Sequence, residues 1–427
     1  MDVQRLSFRG PSLSARSPRV HRRTWIRPSG LLSVLVVRSP LPGFDVRAHT
    51  SRKATELKLS TTTRTAAVSA ALAATLALAA CGASNEETGS GTASGGDSGE
   101  ELSGTLVGAG SSAQQAAMQG WTAGYSSVQP GVTVNYDPVG SGGGREQFLA
   151  GGTDFAGSDA ALDEEELALA EERCGESGIF ELANYIAPIA VVYNLEGVED
   201  LNLSPEVVAG IFNQQITNWN DPAIAADNPD ATLPDLPITP VNRSDESGTT
   251  ENFTEYLVAA AGDAWPHEAS GDWPVSGGEA AQGTSGVISA VTAGNGSIGY
   301  ADLSQAGDLG VANIGVGEEF VEPTAEAAAA VVENSETLEG RGEYDFAVEL
   351  ARDTTESGNY PIVLISYHVG CIEYDDQETA DLVTDFMTYV VSEEGQQAAA
   401  EAAGSAPISD TLREQAQGAI DAITAAG

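Results

Sequence analysis

Three short segments of this chain place glycine and hydroxyl residues where an apolar strand pattern gives way to a helical one. They are Gly108-Ala109-Gly110-Ser111-Ser112-Ala113, Gly140-Ser141-Gly142-Gly143-Gly144-Arg145 and Ser244-Asp245-Glu246-Ser247-Gly248-Thr249. Glycine lets a backbone turn sharply and approach a ligand closely. The first turn of a helix has N–H groups without intrahelical partners and carries partial positive charge, so each segment can cradle an oxyanion. Ser112, Ser141, Ser247 and Thr249 add hydroxyl donors. Any one of them alone reads as a helix cap; three such turns with an arginine beside them point to anion binding. Arg243, four residues before Ser247, has a planar fork that grips a tetrahedral oxyanion through two donors, although singly it reads as a surface ion pair. Asp159, in Gly157-Ser158-Asp159-Ala160, follows an apolar stretch at the strand end where α/β sheets bind ligands; in isolation it too reads as a cap.

The elements that must position these residues follow a regular rhythm. Thr105–Gly108 reads as a strand, Ala113–Tyr125 as a helix and Val132–Tyr136 as a strand. A helix from about Gly143 and a strand at Asp154–Gly157 come next. This βαβαβ order predicts an α/β fold with a parallel sheet. Two apolar strands, Ile186–Tyr193 and Tyr360–Tyr367, bracket a middle segment with βα units of its own, and a helical region, Thr379–Ile423, closes the chain. The alanine-rich run Thr324–Val332 reads as a surface helix.

Charge is distributed unevenly. The 427 residues carry 19 Lys+Arg and 62 Asp+Glu. Thirteen of the basic residues precede residue 81, and from Cys81 onward six arginines face 59 acids, a formal −53. Such a surface repels nucleic acid and anionic lipid, and suits solubility in a salty or extracellular medium. His267 and His368 are the only histidines after residue 81, and no Cys/His cluster has metal-ligand spacing. No metal or cofactor is expected, nor an enzyme. A hydrolase needs a nucleophile beside a base or a metal cluster, which leaves a surface phosphatase as a distant alternative.

Arg64 precedes an apolar, alanine-rich run, Ala66–Ala80, that is too short to span a bilayer as a helix and reads as the core of a signal peptide. Leu78-Ala79-Ala80-Cys81 resembles the lipobox of bacterial lipoproteins, which implies an exported protein held on the outer face of the cell membrane by a lipidated Cys81. Residues 1–56 fit no signal architecture, which suggests a start codon assigned too far upstream, with an unusually long n-region as the alternative. Gly82–Ser103 has almost no apolar residues and reads as a disordered tether. Cys174 and Cys371 are the only cysteines after Cys81, and an even pair in an oxidising compartment predicts a disulfide, with two separate buried thiols as the alternative.

The ordered motifs resemble the phosphate-binding proteins of phosphate-specific ABC transporters. The likeness runs from about Gly104 to near the C-terminus, through Leu106-Val-Gly-Ala-Gly-Ser-Ser112, Val139-Gly-Ser-Gly-Gly-Gly144 and Asp154-Phe-Ala-Gly-Ser-Asp159. It continues through Ile216-Thr-Asn-Trp-Asn-Asp-Pro222, Arg243-Ser-Asp-Glu-Ser-Gly-Thr249 and Gly296-Ser-Ile-Gly-Tyr300. It implies a two-lobed type II periplasmic-binding-protein fold: lobe I from 104–187 plus 364–427, lobe II from 188–363, two crossover strands as the hinge and the ligand between the lobes. It also implies a monomer that hands inorganic phosphate to an ABC permease. Carried over by position, the anion ligands are Ser112, the Ala113 amide, Ser141 and Asp159 from lobe I, with Arg243, Ser247, Gly248 and Thr249 from lobe II. Asp245 orients Arg243. Three positions depart from the family pattern: Ser112 replaces a common threonine, Ala113 a common aromatic, and Glu246 a common glycine, which sets an extra carboxylate beside an anion site. Phosphate keeps a proton at neutral pH and sulfate does not, so a desolvated Asp159 carboxylate accepts from the one and repels the other. Sites for sulfate, molybdate or tungstate, the nearer alternatives, avoid such a carboxylate.

Overall fold

The computed structural model describes residues 101–338 and 340–427. The signal region, Cys81 and nearly all of the tether therefore lie outside the described residues.

Residues 103–158 form the expected βαβαβ unit. It consists of β1 (Ser103–Gly110), α1 (Gln115–Val128), β2 (Gly131–Asp137), α2 (Ser141–Leu149) and β3 (Phe155–Ser158). β1 lies between β2 and β3 and is parallel to both. In β2, Val132 and Val134 are buried while Thr133 and Asn135 face solvent, the alternation of an edge strand with one covered face. α3 (Glu164–Cys174) follows, capped by Asp163 in a reciprocal capping box with Glu166.

The strand β4 (Ile179–Tyr193) is buried along its whole length. The middle of the chain adds α4 (Pro205–Phe212), α5 (Pro222–Asp227), β5 (Thr239–Arg243) and α6 (Gly248–Ala261). It continues with β6 (Glu279–Ala281), α7 (Gly283–Ala293), β7 (Ser297–Asp302) and α8 (Ala325–Glu333). β8 (Val363–Cys371) returns to the first half, and α9 (Gln377–Val391), α10 (Glu393–Ala403) and α11 (Asp410–Ile420) complete the fold.

The main sheet runs β2-β1-β3-β8-β4-β7-β5-β6, with Gly310–Val311 as a short strand beside the end of β4. β4 joins its two halves. Ile179–Pro188 pairs antiparallel with β8, and Ile189–Tyr193 pairs antiparallel with β7. Pro188, which has no N–H to donate, stands at the point where the ladder changes partners. The sheet is thus mixed: parallel where βα units build it at either side, antiparallel at the centre.

Element boundaries differ from the sequence expectation in instructive ways. β4 begins seven residues before Ile186, and β8 starts at Val363 and runs on to Cys371, because the two strands pair from Cys371↔Ile179 to Val363↔Pro188, with one register shift between Ser366 and Tyr367. The alanine-rich α8 is more than a surface helix, since Ala327, Ala328 and Val331 are buried. Cys174 and Cys371 form the expected disulfide, with Cα atoms 5.2 Å apart. It ties the end of α3 to the end of β8.

Candidate oxyanion-binding site

Each of the three glycine-hydroxyl turns sits between a strand and a helix N-terminus. β1 leads through Ser111–Gln114 into α1, β2 through Pro138–Gly140 into α2, and β5 through Ser244–Ser247 into α6. Asp159 directly follows β3. Asp163, not Asp159, caps α3, so Asp159 is free of the capping role.

The structure brings these turns into contact. Gly140 has φ +104, and a Cβ there would lie 2.7 Å from Asp245 Oδ2 and 3.4 Å from Arg243 Nη2. A Cβ on Gly248 would meet the Ala160 N and Asp159 carbonyl carbon at 2.7 and 2.8 Å. Thr249 Oγ1 donates to Asp159 Oδ2 at 2.9 Å, and Asn252 Nδ2 donates to the Asp159 carbonyl at 2.6 Å. Ser141 Oγ accepts from the Asp159 amide at 3.1 Å.

The electrostatics of the site are asymmetric. Asp159 is buried, and its Oδ1 has no hydrogen-bond partner among the described residues. Burial pushes its carboxyl above the usual range, opposed by the hydroxyls of Ser111, Ser366 and Thr249 and by the charge of Arg243. Arg243 is also buried and donates to Asp245 from Nε at 2.9 Å and from Nη2 at 2.5 Å, which fixes the plane of its guanidinium. Among the described residues Nη1 has no hydrogen-bond partner. Burial alone would raise the Asp245 carboxyl, but the hydrogen bonds and charge of Arg243 and the amide of Gly283 hold it below its ordinary value. Tyr300 accepts from the Arg243 amide at 3.3 Å and stacks on Phe253 with ring centroids 4.4 Å apart, so the Gly296–Tyr300 motif supports the arginine from beneath. Trp219 of the Ile216–Pro222 motif is fully buried and donates to the Gly296 carbonyl.

The hydroxyls divide by role. Ser247 Oγ caps α6 by accepting from the Thr250 amide at 3.3 Å. In the first turn, Ser111 rather than Ser112 accepts from the Ala113 and Gln114 amides, at 3.1 and 3.2 Å. The Ala113 amide is therefore already bonded within its own turn. Ser112 Oγ instead meets α7, accepting from the Thr284 amide at 3.0 Å and lying 3.0 Å from Thr284 Oγ1.

That contact reveals a fourth turn of the same design. Gly283, at φ +67, opens α7 directly after β6, and its amide donates to Asp245 Oδ1 at 3.0 Å. Gln282-Gly-Thr-Ser-Gly286 carries the signal, but β6 has only three residues, two of them alanine, and does not read as a strand. Thr284 is a further site neighbour that sequence reasoning passed over, and Ser111 and Arg145, within turns already named, were given no role of their own. Among the described residues no His/Cys/Asp/Glu group is arranged to hold a metal ion.

Comparison with known proteins places the chain in a family. Residues 86–394 match the family model described as a PBP superfamily domain. Phosphate-binding protein PstS 3 of Mycobacterium tuberculosis is 38% identical over 322 residues, covering 73% of this chain and 85% of that protein. The chain belongs to the PstS family of phosphate-binding proteins. PstS 2 of the same organism is 37% identical over 325 residues, with the same coverage of both chains. Among solved structures, a high-affinity periplasmic phosphate-binding protein bound with phosphate superposes with a TM-score of 0.61 at 22% identity, over 74% of this chain and 93% of the other. A human phosphate-binding apolipoprotein gives 0.59 at 21%, over 73% and 93%. At these identities the structural likeness establishes the type II periplasmic-binding fold. The PstS relatives are named for phosphate binding, not for catalysis.

Proposed function

We propose that this protein captures inorganic phosphate outside the cytoplasm and delivers it to the permease of an ABC importer. The observation that carries this reading is the buried, unpartnered Asp159 Oδ1 beside Arg243. A carboxylate oxygen left unmet in an anion site is costly unless the anion brings a proton to it. Monohydrogen and dihydrogen phosphate do so; sulfate at neutral pH does not.

The remaining donors fit a tetrahedral oxyanion. Ser141 and Ser247 each use a hydroxyl lone pair on an amide, which leaves the O–H free to donate. Arg243 Nη1 and the α6 amides of Gly248 and Thr249 add positive potential, and the Thr249 hydroxyl steadies Asp159. Ser112 serves through its O–H when Thr284 donates to it, and the Ala113 amide serves as a shared donor. We assign residues 104–187 with 364–427 to lobe I and 188–363 to lobe II, with β4 and the chain entering β8 as the hinge. Export, lipidation at Cys81, a monomeric state and the absence of catalysis belong to the same reading.

Calorimetric titration of the phosphate-stripped protein with phosphate, arsenate and sulfate tests it. Phosphate and arsenate are expected to bind and sulfate to give no heat; a protein silent to phosphate, or one that takes sulfate equally, overturns the assignment.

A further inference from the structure

Glu246 stands one residue before the cap of α6, beside the anion site, where a carboxylate ought to repel the ligand. It is turned onto the second of the glycine-hydroxyl turns, where Arg145 meets it. Its side chain lies over Gly142, where a Cβ would fall 1.1 Å from Glu246 Oε2, and alongside Gly271, where a Cβ would fall 2.6 Å from Oε1. There Oε1 accepts from Arg145 Nη2 at 3.0 Å.

Arg145 lies on α2, against the other half of the sheet, and has two partners besides Glu246. Nε donates to both oxygens of Glu166, at 2.8 and 3.0 Å, and Nη1 donates to Ser158 Oγ at 3.0 Å. Ser158 immediately precedes Asp159. Its guanidinium side chain is 8% exposed, whereas that of Glu246 is 35% exposed. Positive charge is scarce in this chain, and Arg145 spends its last free nitrogen on a carboxylate from the opposite half. A fork already oriented by two other partners loses little further freedom on forming this bond.

We infer that Glu246 and Arg145 form a latch across the mouth of the site, with Gly142 as the slot that admits the carboxylate. The inference rests on the phosphate-binding reading above for its effect on the ligand, but not for the contact itself. Closing the two halves pairs Glu246 with an Arg145 that it shares with Glu166, so the carboxylate is held by a cation and prolongs retention of the anion instead of expelling it. The sign of the effect separates the two roles: a latch weakens when its charge is removed, while a repelling carboxylate leaves tighter binding behind.

Glu246→Gln keeps the shape and removes the charge. Gly142→Ala keeps every charge and evicts the carboxylate from its slot, since a flexible side-chain end is what the new methyl would meet. Two readouts apply to the full chain: phosphate dissociation by stopped-flow chase, and hydrogen exchange of segments 140–145 and 244–249 without ligand. Both variants are expected to release phosphate roughly two- to fivefold faster, the range of a partly exposed ion pair, and to exchange faster in both segments. In a Glu246→Gly background, Gly142→Ala is expected to add nothing. Unchanged exchange in both variants, or slower phosphate release in Glu246→Gln, overturns the latch. A wild-type protein that binds no phosphate overturns the transport reading alone, because the exchange comparison still decides the latch.

Discussion

Thr249 Oγ1 donates to Asp159 Oδ2 at 2.9 Å, and this bond joins the start of α6 to the end of β3 from opposite halves of the sheet. It consumes one oxygen of the carboxylate and leaves the other, Oδ1, buried and unmet. A single carboxylate thus links the halves and keeps one oxygen free, the oxygen that the proposed function assigns to the ligand's proton.

The roles proposed for Asp159 and Arg243 differ in sign, and paired substitutions separate them. Arg243→Ala removes charge-assisted donors and is expected to weaken phosphate by ~1.5–3 kcal/mol per lost bond, with arsenate affected alike. Asp159→Asn also weakens phosphate, but its amide can donate to a sulfate oxygen. The phosphate-to-sulfate affinity ratio therefore falls further in Asp159→Asn than in Arg243→Ala. Calorimetry with both anions checks this, and an unaltered ratio in Asp159→Asn rejects the selectivity role.

Gly248→Ala tests the close approach of the two halves. The new methyl would lie 2.7–2.9 Å from Ala160 N and from the Asp159 carbonyl carbon and Cβ, most of it backbone that has no room to yield. Overpacking of this kind costs ~1–3 kcal/mol. The cost is expected in phosphate affinity, with a smaller change in melting temperature if the halves part to relieve the clash.

The Cys174–Cys371 bond closes a span of 197 residues. The chain-entropy model assigns such a loop about 5 kcal/mol as an upper limit. Cys174 ends helix α3, and at Cys371 the β8 register is at the opposite end from Val363↔Pro188, where β4 changes partners. Reduction, or a Cys174→Ser/Cys371→Ser double substitution, is expected to lower the melting temperature while leaving phosphate affinity within about twofold at temperatures where the protein stays folded. Thermal melts and titrations on the same samples distinguish the two effects.

Stability is expected to fall as pH rises from about 5 to about 7.5. Asp302 is fully buried, accepts from Tyr185 OH and Ser304, and is pushed up to about 7, chiefly by burial. Glu181, buried beside Asp345, is also held above the carboxylate range, with Arg341 opposing the shift. An unfolded carboxyl titrates near ~4. Between that value and the folded one, the native state binds more protons than the unfolded state, so each pH unit upward costs stability and the loss levels off above the folded value. Asp302→Asn is expected to flatten the melting-temperature profile between about pH 5 and pH 7, whatever its absolute effect. A profile as steep as that of the wild type rejects the assignment.

Much of this protein is determined locally and could be read before any contact was known. The turns at Gly108–Ala113, Gly140–Arg145 and Ser244–Thr249 announce themselves because backbone stereochemistry demands glycine where a strand folds back into a helix. The disulfide followed from parity, and the family from the order of the motifs. Which hydroxyl caps and which one faces across the site was not legible: Ser111 and Ser112 are chemically identical neighbours, and only the approach of Thr284 assigns Ser112 to the far side. The turn at Gly283 was missed because its strand has three weakly apolar residues and gains its stability from pairing with Thr239–Arg243. Glu246 read as a carboxylate against an anion, since its partner Arg145 lies 101 residues away. Tertiary structure decided these pairings because an ion pair or an unmet carboxylate oxygen depends on what the sheet brings opposite it, and local sequence carries no record of that distance.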